Sequence, residues 1–71
     1  MTRYLLFALM TGPEYKAERI KRNFTQVALA LLVGVRQATI SARERDEIEI
    51  TKEAELAILS LPISKQNNMF N

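Results

Sequence analysis

The chain contains no cysteine and no histidine. Thiolate nucleophiles, imidazole bases, disulfides and the usual zinc ligand sets are therefore excluded together. Covalent chemistry would have to rest on eight carboxylates and ten Lys/Arg side chains, and their spacing supplies neither an activated nucleophile nor a matched acid and base. The expectation is a protein that is not an enzyme and takes no metal and no cofactor. The basic residues offer a different chemistry, recognition of polyanions. Residues 1–43 carry seven of them (Arg3, Lys16, Arg19, Lys21, Arg22, Arg36, Arg43) against two acids, Glu14 and Glu18, whereas residues 44–71 carry three against six. The first part is +5 and the second −3, so one part of a small domain faces polyanions, and counterion release can contribute to affinity.

The elements that position these side chains have to be built in 71 residues, enough for one domain that buries roughly 60% of its unfolded surface. An apolar content of 48% supports a single core and argues against disorder. No stretch reaches the roughly 20 apolar residues that span a bilayer. The apolar run Tyr4–Met10 is short for a signal-peptide core, so no membrane attachment and a cytoplasmic location are expected.

Thr11 and Glu14 have capping-box spacing, with Pro13 in the tolerant first turn. A first helix follows to about Arg22, with Tyr15, Ala17 and Ile20 as its apolar stripe. Asn23 breaks the pattern. Thr25 is a good N-cap for a helix over Gln26 to Leu32, and Gly34 sits where a left-handed residue must end it. A third helix spans about Arg36 to Glu44, Asp46 to Ile50 is a loop, and Thr51 caps a fourth helix over Lys52 to Ser60 that carries Leu56, Ile58 and Leu59. Pro62 stops it. The expected organisation is an apolar arm over residues 1–10, a domain over 11–62 and a polar tail over 63–71.

The spacing of Ala30, Gly34 and Ile40 carries the most information. Two helices crossing at about 90–120° need a small residue at the crossing, a residue free of Cβ strain at the corner, and a branched apolar plug from the second helix. Ala30, Gly34 and Ile40 fill these places in turn, with Leu29, Val33 and Val35 completing the small core.

In these residues the chain resembles the Cro/C1-type helix-turn-helix family, also called the Xre family, of phage and plasmid regulators. The resemblance covers about Thr11 to Leu61 and is carried by Thr11-Gly12-Pro13-Glu14-Tyr15, Arg19, Phe24-Thr25-Gln26, Ala30, Gly34-Val35, Thr39-Ile40-Ser41, Glu44-Arg45 and the helix from Thr51. It implies an all-α, lambda-repressor-like bundle of four to five helices. It also implies a homodimer that binds double-stranded operator DNA in the bacterial nucleoid as a transcriptional repressor. The recognition helix would be residues 36–44.

The resemblance assigns individual roles. Gln37 matches the position that reads a base edge, where an amide pairs with adenine through two hydrogen bonds. Ala38, Ser41 and Ala42 share that exposed face, Ala38 against a thymine methyl. Gln26 matches the position that holds a phosphate and braces the recognition glutamine. Arg36, Thr39, Arg43 and Arg45 complete the DNA-backbone set, which fixes register without carrying sequence information. Arg19 and Glu44 match a pair that bridges the first helix to the end of the third, a structural role shared with Ala30, Gly34 and Ile40.

Two positions depart from the family pattern. Arg43 stands where an apolar or aromatic residue is usual, so its aliphatic stem covers the core or the helix is rotated slightly. Asp46 replaces the usual glycine, though aspartate still tolerates a left-handed backbone.

Leu31 and Leu32 fall where the family shows polar surface, and the apolar arm Tyr4–Leu9 lies outside the usual domain. Such features tend to mark contacts. The arm is expected to build a dimer interface, to cover the second helix, or to engage a partner protein. The alternative to DNA reading is a helix-turn-helix interaction module such as an antitoxin or a dimerisation scaffold.

Overall fold

A computed structural model describes residues 9–65. Among the described residues four helices follow one another: α1 Gly12–Lys21, α2 Gln26–Val33, α3 Gln37–Glu44 and α4 Lys52–Leu59. No strand occurs among the described residues. The all-α helix-turn-helix bundle expected from the sequence is the fold observed, with helix bounds within one or two residues of those expected. Most of the apolar arm and of the polar tail lies outside the described residues. Of the arm's end, Met10 packs against the core.

Three helices start on threonine. The Thr11 hydroxyl accepts from the Glu14 N–H at 3.2 Å while the Glu14 carboxylate accepts from the Thr11 N–H at 2.9 Å, a complete capping box. Thr25 and Thr51 accept from Ala28 N–H at 3.0 Å and Ala54 N–H at 3.1 Å. Only α3 starts without a side-chain cap, on Arg36 in an extended conformation.

The first three helices end alike. A residue in the left-handed region closes each: Asn23 (φ 64°), Gly34 (φ 80°) and Asp46 (φ 60°). The following N–H then reaches back to a carbonyl of the last turn: Phe24 to Arg19 at 3.2 Å, Val35 to Ala30 at 3.0 Å and Glu47 to Ala42 at 2.9 Å. This is the Schellman arrangement, which satisfies carbonyls that the helix leaves free.

The core is Tyr15, Phe24, Leu29, Ala30, Ile40, Ile50, Ala54 and Ile58. Ile50 enters it from the segment expected to be only a loop. Two apolar stripes are corrected. On α1 the inward face is Gly12 and Tyr15 with the half-buried Arg19, continued by the half-buried Arg22 that caps the helix, while Ala17 and Ile20 face solvent. On α4 Ala54 and Ile58 are buried, and Leu56 and Leu59 are exposed. Charged side chains occupy inward positions on α1 because their hydrogen bonds are made there. The Arg22 guanidinium donates to the carbonyls of Leu61 at 2.8 Å, Leu59 at 3.3 Å and Glu18 at 3.2 Å, and pairs with the Glu18 carboxylate. It thus ties the end of α1 to the last turn of α4, whose free carbonyls favour a cation.

Gly12 is required by contact. A Cβ there would lie 2.6 Å from each of the Arg43 and Glu44 carbonyl oxygens. The first turn of α1 therefore rests directly on the last turn of α3, and the Gly12 N–H donates to Asp46 Oδ1 at 2.7 Å.

Candidate nucleic-acid interface

The corner between α2 and α3 is made at Gly34, whose N–H donates to the Ala30 carbonyl at 2.9 Å. A Cβ on Gly34 would meet nothing within 4 Å, so glycine is needed there for its positive φ and not for space. Ala30 is buried at the crossing and Ile40 plugs the angle with no exposure. The three residues stand in the relation that the spacing predicts, and α3 is turned so that Gln37, Ala38 and Arg45 are exposed and Ser41 and Ala42 half-buried.

Behind that face runs a chain of polar contacts. Glu44 is nearly sealed, with 4% of its side chain exposed, against Arg19 with 11%. Arg19 donates to it twice, Nε to Oε2 at 2.6 Å and Nη2 to Oε1 at 3.1 Å, and gives Nη1 to the Phe24 carbonyl at 2.9 Å. Glu44 Oε1 also accepts from Gln26 Nε2 at 3.0 Å. A carboxylate only accepts. Gln26 must therefore turn its NH₂ inward to Glu44 and its oxygen outward, where that oxygen accepts from Gln37 Nε2 at 2.7 Å. Gln26 and Gln37 are the first residues of α2 and α3, so both amides stand at helix starts where no side chain of a preceding turn crowds them. Gln37 is left with one N–H and its amide oxygen uncommitted to this chain of contacts, a donor and an acceptor side by side.

The remaining site residues divide. Arg36 is exposed beside Gln37, and Thr39 is half-buried. Arg43, expected at the DNA backbone, is engaged within the domain: its Nη1 donates to the Tyr15 hydroxyl at 3.1 Å, and its guanidinium stands 5.7 Å from the centre of the Tyr15 ring. At roughly 100° per residue it projects about 140° around α3 from Ala38 and about 100° from Ala42. The stem covers the core and the charged end lies over an aromatic face, which offsets part of its desolvation. Arg45 is exposed and paired with Glu47 through two contacts of 2.8 Å, with a further hydrogen bond to Ser41. The carboxylate of Glu47 is held below its ordinary range by the hydrogen bond from Arg45. Sequence reasoning missed the contacts of Tyr15 with Arg43, of Arg22 with α4 and of Gly12 with α3. The one signal that could have found any of them is the small residue between the Thr11 cap and Pro13, and it bears on Gly12 alone.

No helix among the described residues is long and apolar enough to cross a membrane. Two short helices joined at a left-handed glycine, the second presenting an uncapped first turn and a braced glutamine, define a helix-turn-helix domain. The helix-turn-helix family model matches residues 16–59, more than half of the chain, and the chain belongs to this family in its Cro/C1-type, or Xre, form. It is a DNA-binding helix-turn-helix regulator. No curated protein and no solved structure matches the chain.

Proposed function

We propose that the protein is a sequence-specific repressor of phage or plasmid type that binds operator DNA as a homodimer and reads it with α3. The observation that carries this reading is the Glu44–Gln26–Gln37 chain, which orients the Gln37 amide before any DNA arrives. Its remaining N–H and oxygen match N7 and N6 of adenine in the major groove, a pairing worth roughly 1–3 kcal/mol of discrimination. Ala38, Ser41 and Ala42 extend the reading face. Gln26, Arg36, Thr39 and Arg45 meet the backbone around it. Arg43 is left out of that set, because its guanidinium is committed to Tyr15. One eight-residue helix covers few base pairs, so useful affinity calls for two half-sites about one turn apart and a twofold protein to match.

The test is selection of bound fragments from random duplex DNA in the bacterial cytoplasmic salt range. A palindromic product supports the reading. Gln37→Ala should relax discrimination at one base position, and Arg36→Ala should weaken all sequences while flattening the salt slope by about one unit. If both variants bind the selected operator as wild type does, α3 does not enter the groove.

A second reading is favoured by the exposed Leu31, Leu32 and Leu56: an interaction module, antitoxin or scaffold that docks protein and not DNA. It expects no salt-dependent binding to random duplex, where a DNA binder loses affinity steeply with salt.

A further inference from the structure

Glu47 lies beyond the residues assigned to DNA contact, yet its side chain is joined to the reading face. Arg45 Nε donates to Glu47 Oε2 and Arg45 Nη2 to Glu47 Oε1, both at 2.8 Å, while Nη1 donates to Ser41 Oγ. The Ser41 contact holds the guanidinium along the exposed side of α3. A guanidinium has five N–H groups. Three are used here, and one remains on each of the two terminal nitrogens, which share the outer edge of the group. That edge fits a group with two neighbouring acceptors: a phosphate, or N7 and O6 of guanine.

The place of Glu47 is set by backbone hydrogen bonds. Its N–H is tied to the Ala42 carbonyl at 2.9 Å, and the N–H of Asp46 to the Arg43 carbonyl at 3.1 Å. Asp46 is itself fastened by the Gly12 N–H. The turn that ends α3 therefore carries the carboxylate back beside Arg45 and keeps it there. Both side chains are more than half exposed, 57% and 55%, so the pair contributes little to folding. Its consequence is electrostatic: each partner cancels the charge of the other at the edge of the proposed groove-facing surface.

We infer that Glu47 is a positioning and specificity-determining residue. It cancels the general attraction of Arg45 for any phosphate and aims the free edge of the guanidinium at one two-acceptor group of the bound site. This rests on the reading that α3 enters DNA.

The experiment uses the full chain, an operator selected by the wild type, and a random duplex of equal length, titrated across salt. Glu47→Gln keeps the shape and removes the charge. It should tighten random-duplex binding by roughly three- to tenfold at low salt and steepen the salt slope by about one unit. The ratio of operator to random affinity should fall. Thermal midpoints equal to wild type would exclude a folding effect. Arg45→Gln should weaken operator binding about tenfold and abolish the response to Glu47→Gln. Replacing guanines with 7-deazaguanine, or single phosphates with methylphosphonates, separates the two acceptor sources: the one whose loss is felt by wild type but not by Arg45→Gln is the group engaged. Unchanged slope and ratio in Glu47→Gln, or no acceptor coupled to Arg45, overturns the inference while leaving DNA reading intact. A wild type that binds no duplex overturns both.

Discussion

Glu44 supports two interactions with one carboxylate. It closes the Arg19 fork, which joins α1 to α3, and it decides which way the Gln26 amide points. Removing one side of a pair this well buried costs about 3–5 kcal/mol. Arg19→Ala should accordingly lower the thermal midpoint by more than 10 °C in a domain of this size. Glu44→Gln has a further expected outcome. A neutral amide at residue 44 can present oxygen or NH₂, so Gln26 and Gln37 lose their imposed orientation, and discrimination at the Gln37 base should weaken even at temperatures where the variant is folded. Binding of operators with single base changes measures it. Glu18 makes a prediction about pH. The hydrogen bond from Arg22 holds its pKa below the ordinary value. A carboxylate lowered on folding contributes stability that is present above its unfolded pKa of about 4.5 and is lost as pH falls through the folded value. Thermal midpoints measured from pH 7 to pH 3 should therefore fall less steeply for Glu18→Gln than for wild type. The Arg19–Glu44 pair and the Gln26–Gln37 link were legible only through the family resemblance. The inward stem of Arg43 was one of two outcomes its place in the family pattern left open, whereas the inward position of Arg22 was not legible, because a long side chain with an apolar stem and a charged fork fits a core edge or a solvated face equally well.

At the scale of elements, the ends of helices held more information than their middles. Thr11, Thr25, Thr51 and Gly34 mark boundaries through local hydrogen bonds and dihedral preference, and the helices begin and end beside them. The buried faces of α1 and α4 were harder, since Ile20, Leu56 and Leu59 are apolar yet exposed. Helices of eight to ten residues offer only two or three turns of pattern, and tertiary contact decides the rest. Three successive helices close on a left-handed residue, and only one of these residues is glycine. Asn23→Gly should relieve that strain and raise stability by roughly 0.5–1 kcal/mol in a urea melt. Asp46→Gly should show no such gain, because it also removes the acceptor for the Gly12 N–H. Gly12→Ala should destabilise by about 1–3 kcal/mol, since its Cβ would meet two backbone oxygens of α3 that have little room to give.

Across the whole molecule, the helices leave apolar side chains uncovered. Leu31 is 79% exposed, and Val27 lies one turn before it on the outer side of α2. Leu31→Gln removes no core contact, so the monomer should melt within about 0.5 kcal/mol of wild type. If the protein is the proposed homodimer, a shift of the variant's sedimentation toward the monomer would place Leu31 in its interface; an unchanged profile would count against Leu31 as an interface residue. The seating of α3 on α1 has another consequence. Tyr15 is fully buried with its hydroxyl held by Arg43, and the chain contains two tyrosines and no tryptophan. With Tyr4 replaced by phenylalanine, the tyrosine band of the protein would come from one phenol ring lying beneath the helix proposed to meet DNA. The molecule thus carries its own optical gauge of whether that helix stays docked when a duplex binds.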